Sequence, residues 1–382
     1  FKGCISAHEA CEAASKGIQT VLPEANVVEI ALSDGGEGLV KCVQQMLPTQ
    51  SVSIDVHGPL MTKLKAEYAM SMDGKTAYME MAAASGLTLV PIDQRDPTKT
   101  TTYGVGEMVA DALKRGCQKI VMGIGGSATC DGGRGMVEAL RDKGCLDKKI
   151  YNNDHVDLRQ KDQECLAQKC KFIVACDVNN PLYGENGAAH IFAPQKGATK
   201  EQVLWLDEQL RTFAKETEQA GLATPELANH PGAGAAGGLG YALLAYLNAE
   251  LNSGIDIVLD LANFDVAIKD ADLVITGEGK SDQQTMMGKV PHGVLKRCKK
   301  AGVPVWLLSG AIDDRTGELA KNFDLVRSIN ENDNRPLSVL MQPDVAKKNI
   351  TAFLSAIFFI YLQIIRTNRN INRTNSRTSS WL

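Results

Sequence analysis

Hydrophobic positions along the chain follow two periodicities, and their alternation predicts an α/β protein. Short runs of apolar residues predict buried strands, whereas apolar residues at helical spacing predict amphipathic helices. Capping-box spacings begin two of these helices, one running from Ser6 to about Val21 and the other from Thr199 to about Gln219. The clearest predicted strands are 27–32, 51–56, 119–122, 172–176, 273–276 and 303–308.

The order of these patterns predicts two domains. Residues 65–81 have the pattern of a β-hairpin with an Asp73-Gly74 turn, so antiparallel pairing begins after α/β units. Alternating strands and helices return near residue 265, and a length of 382 residues suits two or three domains. We therefore expect a split α/β domain of residues 1–56 and 265–352 around an inserted domain of residues 57–264.

The C-terminal stretch, residues 353–382, differs from the rest of the chain. Phe353 to Ile365 is apolar but too short for a membrane span, which takes about 20 residues. Four arginines and no acidic residue follow from Arg366 onward. A basic amphipathic anchor is one interpretation, but we expect a docking or frayed helix followed by a poorly ordered end.

A glycine-rich stretch, Gly123–Gly133, lies between a predicted strand and a predicted helix. Glycines allow backbone N–H groups to converge on an anion, and a helix N-terminus adds partial positive charge. The stretch is neither a P-loop, since no Gly-Lys-Ser/Thr ends it, nor a dinucleotide fingerprint. A tight strand–helix connection without a ligand is the alternative. The candidate phosphate ligands are Gly125, Gly126, Ser127 and Thr129, and the candidate Mg²⁺ ligand is Asp131.

Three further glycine loops resemble this arrangement. Ser33–Gly38 contains the acids Asp34 and Glu37, which suit Mg²⁺ or a substrate hydroxyl, although an acid-stabilised helix N-terminus is the alternative. Pro231–Gly238 permits either close helix packing or the approach of a nucleotide to the backbone. The third loop, Gly277–Asp282, follows a predicted strand. The candidate backbone ligands are Gly35, Gly36, Gly234, Gly237, Gly277 and Gly279.

Three charged residues follow the ends of predicted strands, where α/β sheets bind ligands. Asp177 follows the strand 172–176, and Asp282 and Lys289 follow the strand 273–276. Asp282 suits a metal ligand or general base, and Lys289 suits a phosphate contact. The alternative is a surface ion pair between them, worth roughly 0–1 kcal/mol.

Composition narrows the functional classes. A net charge of −4 gives no whole-chain electrostatic case for binding nucleic acid. The ten cysteines include no Cys-x-x-Cys pair, which argues against a zinc site. No signal-peptide pattern begins the sequence, so we expect a cytoplasmic protein with reduced thiols and no membrane partner.

Four motifs occur together in an order typical of one enzyme family. They are Ser33–Gly38, Gly125–Gly133, Pro231–Gly238, and Thr276–Gly279 with Asp282 and Gly288-Lys289-Val290-Pro291. On these motifs, the chain from Phe1 to about Thr351 resembles the bacterial (type I) glycerate kinases, which phosphorylate D-glycerate with ATP. The resemblance implies an α/β fold: a Rossmann- or flavodoxin-like domain with a parallel sheet, plus an inserted mixed α/β domain. It also implies an active site in the cleft between them and Mg²⁺-ATP as the phosphate donor.

The sequence departs from that family at several places. Members usually have a strand and an Asp-Ser pair before Phe1-Lys2-Gly3, where this sequence starts. Residues 141–170 are shorter than usual and have no glycine cluster, and Cys130 replaces a common Asn. After Ala352 the sequence does not resemble the family's closing helix.

The resemblance implies a phosphotransferase that makes phosphoglycerate, with 2-phosphoglycerate favoured over 3-phosphoglycerate. Phosphoryl transfer needs positioning and charge neutralisation. One or two of Asp34, Asp177 and Asp282 would hold Mg²⁺, and another would accept the glycerate hydroxyl proton. Lys2 or Arg134 would pair with the glycerate carboxylate. The expected partners are D-glycerate and ATP, and a homo-oligomer is left open. From the residues alone, the competing class is a non-catalytic nucleotide-binding or metabolite-sensing protein, and a dehydrogenase is a weaker rival.

Overall fold

The computed structural model describes residues 1, 4–32, 38–147, 165–331 and 333–378, with side chains described as far as Gln363. The chain forms two compact units, the first made of Phe1–Ser33 with Ala262–Leu382 and the second of Asp34–Leu261. Both contain parallel strands, which confirms the predicted α/β class. The strands are β1 (Thr49–His57), β2 (Lys63–Ser71), β3 (Thr76–Glu80), β4 (Lys119–Gly123), β5 (Lys171–Ala175), β6 (Glu250–Asn252), β7 (Val274–Ser281), β8 (Val305–Ile312) and β9 (Leu325–Ser328).

Helices connect most of these strands, and both predicted capping boxes are present, at Ser6 and at Thr199. The α-helices are α1 (Ala7–Val21), α2 (Leu39–Met46), α3 (Ala82–Ser85), α4 (Tyr103–Lys114), α5 (Arg134–Asp142), α6 (Ala188–Phe192), α7 (Lys200–Gln219), α8 (Ala235–Leu247), α9 (Gly254–Leu261), α10 (Phe264–Ala267), α11 (Val290–Ala301), α12 (Glu318–Asn322), α13 (Leu337–Leu340) and α14 (Pro343–Thr378). Short 3-10 helices lie at Leu87–Leu89, Ile92–Gln94, Leu166–Lys169, Pro194–Lys196, Pro225–Asn229 and Gln283–Met286.

The second unit is built on a six-stranded mixed sheet in the order β1-β2-β3-β4-β5-β6. The first three strands are antiparallel and the last four are parallel, with β3 common to both parts. The predicted hairpin is confirmed as β2 and β3, and Gly74 adopts the positive φ of +70° that its turn requires. In β4, the consecutive residues 120–122 are all buried, as expected for a parallel strand covered on both faces.

The boundary between the units differs from the predicted one. β1 pairs with β2 along its whole length, from Thr49 opposite Ser71 to His57 opposite Lys63. Residues 49–56 are therefore part of the second unit's sheet, and the unit begins at residue 34 instead of residue 57. Gly58-Pro59 lies in the short connection between β1 and β2.

Two predicted strands also differ. Residues 27–32, all within the described part of the chain, have no β-pairing, and the Ile30 carbonyl accepts a hydrogen bond from Cys11 Sγ. The strand predicted to end at Thr276 continues to Ser281, since its pairing with β8 continues that far. Both differences have the same cause. Whether a segment forms a strand depends on pairing with a neighbouring strand, and the hydrophobic periodicity of a segment does not reveal that partner.

The first unit has a parallel three-stranded sheet in the order β7-β8-β9, with α1 and α14 packed together. Gly17 in α1 lets the helices approach, because a Cβ there would lie 2.6 Å from the Thr351 carbonyl oxygen. Thr351 Oγ1 donates to the Ala13 carbonyl at 2.8 Å, and Ser355 Oγ donates to the Gly17 carbonyl at 2.9 Å. These contacts fix the orientation of α14 on the unit.

The residues just after 352 belong to this unit's core. Leu354 and Phe358 are buried in the hydrophobic cluster with residues of α1. The segment Pro343–Gln363 is long and apolar enough to cross a membrane by length and composition. Core helices of soluble proteins pass the same test, so this is weak evidence for a membrane span.

We expect Leu354→Ala to destabilise the protein by about 2–5 kcal/mol, because the change removes a fully buried side chain and leaves a cavity. The measurement is the free energy of unfolding from denaturant titration. Phe359→Ala is the matched control, since Phe359 is 56% exposed in the same helix. Equal losses in the two variants would show that this part of α14 does not dock as described.

Candidate active site

The first candidate loop follows β4 in the second unit, and neighbouring backbone holds it in place. The Gly126 carbonyl accepts a hydrogen bond from the Leu87 N–H at 2.8 Å, and the Ala128 N–H donates to the Ser85 carbonyl at 2.9 Å. Gly126 is exposed and has a positive φ of +72°, whereas the side chains of the next residues turn inward. The exposed edge of the loop is therefore backbone, with its hydroxyl groups beneath.

A lysine that the sequence analysis passed over lies under this loop. Lys196 Nζ donates to Ser127 Oγ at 2.7 Å and to the Thr129 carbonyl at 2.7 Å. The side chain is only 2% exposed, and burial lowers the pKa of the Lys196 ammonium to about 8. The only signal in the sequence was one basic residue in the Pro194–Gly197 turn, far along the chain from the loop that it contacts.

Asp131, the predicted metal ligand of this loop, accepts four hydrogen bonds. Its Oδ2 accepts from the Thr102 N–H and the Thr102 hydroxyl, both at 2.8 Å, and from the Gly135 N–H at 3.2 Å. Its Oδ1 accepts from the Gly133 N–H at 3.1 Å. These bonds tie the start of α5 to the residue before α4, which is a structural task.

Arg134, one of the two residues expected to pair with a carboxylate substrate, contacts α7. Its guanidinium donates to Glu216 at 2.8 Å and lies 4.5 Å from the centre of the Phe213 ring. The structure therefore engages Arg134 in helix packing. The other candidate, Lys2, lies outside the described residues, as do Asp34, Gly35 and Gly36.

The glycine loop Pro231–Gly238 packs against the stretch that follows β4. A Cβ on Gly237 would lie 2.0 Å from the Thr129 carbonyl oxygen, and the Gly132 N–H donates to the Gly237 carbonyl at 3.0 Å. A Cβ on Gly234 would lie 2.2 Å from the Pro181 carbonyl oxygen. Close packing of backbone explains both glycines, the simpler of the two alternatives for this loop.

Asp177 lies just beyond β5, at the end of the sheet where ligands were expected. Its Oδ1 accepts a hydrogen bond from the Gly254 N–H at 2.8 Å, and Gly254 begins α9. One oxygen of this carboxylate is therefore used to hold a helix N-terminus.

In the first unit, Gly277 and Gly279 lie inside β7 and not in a loop. A Cβ on Gly277 would lie 2.0 Å from the Leu308 carbonyl oxygen of β8, so no larger residue fits there. The Gly279 carbonyl oxygen lies 2.7 Å from the position of a Cβ on Gly310. Close approach of β7 and β8 is enough to explain Gly277 and Gly310.

The charged residues after β7 come together. Asp282 caps the 3-10 helix that follows β7 by accepting the Gln284 N–H at 3.0 Å. Lys289, just before α11, has its Nζ 3.8 Å from Asp282 Oδ1 and 3.9 Å from Glu278 Oε2. Glu278 was not singled out from the sequence, and its Oε1 accepts hydrogen bonds from Thr285 at 2.6 Å and Ser281 at 3.0 Å.

Two groups of predicted site residues thus lie together in the structure. Asp282 lies near Lys289, and Glu278 joins them. Ser127 and Thr129 both contact Lys196. Within the described ranges, no group of three or more His, Cys, Asp or Glu side chains is arranged to hold a metal ion. This does not exclude Mg²⁺, which is often bound through one or two carboxylates together with substrate phosphates.

Comparison with known proteins relates this chain to one family. Residues 1–361 match the model of the glycerate kinase family. A glycerate kinase from Halalkalibacterium halodurans is 46% identical over 321 residues, which cover 82% of this chain and 83% of that protein. A protein named glycerate 2-kinase from Escherichia coli K12 is 42% identical over 339 residues, which cover 86% of this chain and 88% of that protein.

A solved structure shows the same relation. The crystal structure of a protein from Salmonella typhimurium LT2, assigned as glycerate kinase 2, superposes with a TM-score of 0.79 at 36% sequence identity. The match covers 96% of this chain and 97% of that one. The fold, the order of the motifs and the extent of these matches agree, and the chain belongs to the glycerate kinase family.

Proposed function

We propose that this glycerate kinase transfers the γ-phosphate of ATP to D-glycerate with Mg²⁺ and releases 2-phosphoglycerate. Membership of the family supports the kinase reaction, and the E. coli relative named glycerate 2-kinase supports the choice of product. We further propose that the enzyme works in a reducing cytoplasm. All ten cysteines are free thiols, which fits such a compartment.

The observation that carries this proposal is the group formed by Glu278, Asp282 and Lys289 at the carboxyl end of β7. Both ion pairs that Lys289 makes with described residues are longer than a hydrogen bond, so these two acids hold the ammonium only loosely. A loosely held cation can move to a phosphate oxygen at little cost. Ligands of parallel sheets bind at this end of the strands, which is where the group lies.

Each residue of the group has chemistry that phosphoryl transfer needs. Lys289 would bind and neutralise phosphate, and Asp282 would accept the glycerate hydroxyl proton or hold Mg²⁺. Glu278 and Asp282 have carboxylate oxygens, the donors that Mg²⁺ prefers, so the residues present fit the ion. When bound, Mg²⁺ neutralises charge on the transferring phosphate. Asp177 is the alternative proton acceptor, although one of its oxygens already accepts a hydrogen bond.

Asp131, predicted from the sequence as a Mg²⁺ ligand, has a structural role in this proposal. Both of its oxygens already accept hydrogen bonds from Thr102 and from the start of α5. We therefore assign it to holding the glycine loop in shape and not to binding Mg²⁺.

The first test is release of ADP measured with D-glycerate, with L-glycerate and with no acceptor. We expect Mg²⁺-dependent release that requires D-glycerate, and phosphorus NMR of the product should show 2-phosphoglycerate. Equal release with and without D-glycerate would contradict the kinase assignment, and ATP binding without turnover would favour a nucleotide-sensing protein. A 3-phosphoglycerate signal would overturn only the choice of product.

The second test concerns Asp282 and Lys289. We expect Asp282→Asn to lower kcat by about 10²-fold or more, because acid–base assistance is typically worth 10²–10⁴. We expect Lys289→Ala to raise the KM for ATP and to lower kcat, because a phosphate contact acts in the ground state and in the transition state. Steady-state kinetics give both values, and circular dichroism checks folding.

The matched controls for this second test are the same substitutions at charged residues that form surface contacts in the same unit. Asp265, paired with Arg297 at 2.9 Å, gives Asp265→Asn. Lys299, bonded to Asn322 at 2.8 Å, gives Lys299→Ala. Both control variants should keep wild-type kinetics. If Asp282→Asn and Lys289→Ala also keep wild-type kinetics, the contact between Asp282 and Lys289 is only a surface ion pair.

The third test separates the two interpretations of Asp131. We expect Asp131→Ala to cost about 3 kcal/mol of unfolding free energy, because four donors lose their acceptor. The loss should be the same in EDTA and in Mg²⁺, with exposed Asp93→Ala as the control. A loss seen only in Mg²⁺ would restore Asp131 as a metal ligand.

A further inference from the structure

Lys196 is buried with neutral partners, which is costly for a charged group. Its two hydrogen bonds go to the Ser127 hydroxyl and the Thr129 carbonyl, and among the described residues no carboxylate forms an ion pair with it. A lysine is almost never fully buried unless it is paired, and removing an ion from water costs several kcal/mol. A bound anion nearby would compensate this charge and complete the arrangement.

The direction of the hydrogen bonds defines what Ser127 can do. A charged lysine has three donors and no acceptor, so Ser127 Oγ must accept from Lys196. The Ser127 hydrogen therefore remains to be donated, and no described residue accepts it. Beside it, the buried Thr129 Oγ1 has no hydrogen-bond partner in the described part of the chain.

These groups lie directly beneath the exposed edge of the loop. Gly126 is exposed and Gly125 is half-buried, and Ser127 follows them in the chain. An anionic oxygen at this edge would receive the Ser127 hydrogen and the field of the Lys196 charge. Both interactions are stronger here than in water, because the surroundings of Lys196 are dry.

We propose that Lys196 is a positioning residue that acts through Ser127, holding its hydroxyl as a donor to an anionic oxygen of a substrate. This inference rests on the proposed function, which supplies two such substrates. The oxygen belongs either to a phosphate of ATP or to the carboxylate of D-glycerate. The two sources share one chemistry, and separate titrations distinguish them.

The charge on Lys196 makes this device sensitive to pH. Burial lowers the pKa of Lys196 to about 8, and the neighbouring groups that act on its charge are Cys130 and Asp131. Burial raises the pKa of Cys130 to about 11, so its thiol stays neutral while Lys196 titrates. Asp207 of α7 acts on Cys130, and the backbone of Arg95 lies against Gly197.

Loss of the proton reverses the hydrogen bond. A neutral Lys196 amine can accept the Ser127 hydrogen, which is then no longer donated to the substrate. The favourable state is therefore present below the pKa of Lys196 and is lost as the pH rises through it. Substrate affinity should fall over the same range.

The test is equilibrium binding of ATP, and separately of D-glycerate, by calorimetry below and above pH 8. We expect Lys196→Met and Ser127→Ala each to weaken binding of one substrate about tenfold to a hundredfold, the range for a hydrogen bond to a charged group. The double variant should bind no more weakly than the worse single variant, because the two residues act as one device. Lys171→Met, which removes a surface lysine paired with Glu250, is the control.

The pH dependence separates this role from a merely structural one. Wild-type affinity should fall above pH 8, whereas Ser127→Ala should bind weakly and with a much smaller pH dependence, because only the field of the Lys196 charge then reaches the ligand. Lys196→Arg keeps its positive charge over the whole pH range of the titration, so its affinity should not fall above pH 8. If Lys196→Arg does not fold, the comparison of wild type with Ser127→Ala decides alone.

Two results would overturn the inference. One is wild-type affinity for both substrates in folded Lys196→Met and Ser127→Ala. The other is a pH dependence that is the same in wild type and in Ser127→Ala. Binding is measured without turnover, so absent D-glycerate-dependent ADP release would refute the proposed function while these titrations still test Lys196.

Discussion

The second unit depends on the close approach of two glycine-rich stretches, 129–133 and 231–238. Gly237 lies so near the Thr129 carbonyl that any Cβ would overlap with it, and the Gly132 N–H donates to the Gly237 carbonyl. This contact fixes the backbone at Thr129. The Thr129 carbonyl in turn accepts a hydrogen bond from the Lys196 ammonium. The position of the Thr129 carbonyl, which holds the buried Lys196, therefore depends on a contact that only glycine permits.

The two lysines of the candidate sites illustrate opposite uses of charge. Lys196 is buried among neutral groups, so its charge is costly and its position is fixed by two short hydrogen bonds. Lys289 is partly exposed between two acids, and neither contact is short enough to hold it. Desolvation strengthens the hydrogen bonds of Lys196 and fixes its position. Solvent exposure and longer distances weaken the contacts of Lys289, so its ammonium can move to bind a phosphate.

Local features of the fold could be predicted from the sequence, whereas features that depend on distant partners could not. The capping boxes at Ser6 and Thr199 and the hairpin at Gly74 each depend on residues a few positions apart, and all are present. The place of β1 depends on β2, and the burial of Leu354 depends on α1. Lys196 was missed for the same reason, since its partners lie more than sixty positions away.

The acids of the candidate sites make the same point more sharply. In the sequence, Asp131, Asp177 and Asp282 look alike, each placed near the end of a predicted strand or among glycines. The structure separates them by the donors that they already satisfy. Asp131 accepts four hydrogen bonds through both oxygens, and Asp177 binds the N–H that begins α9.

Among the described residues, the Asp282 carboxylate caps the following 3-10 helix and lies 4.0 Å from Lys280 Nζ and 3.8 Å from Lys289 Nζ. A carboxylate whose lone pairs are filled by fixed donors can take on a metal ion or a proton only by breaking those bonds. Each such bond to a charged group is worth roughly 1.5–3 kcal/mol. The number of existing hydrogen bonds thus places Asp131 behind Asp177 and Asp282 in availability for chemistry. That order follows from tertiary contacts alone, which is why no spacing in the sequence could supply it.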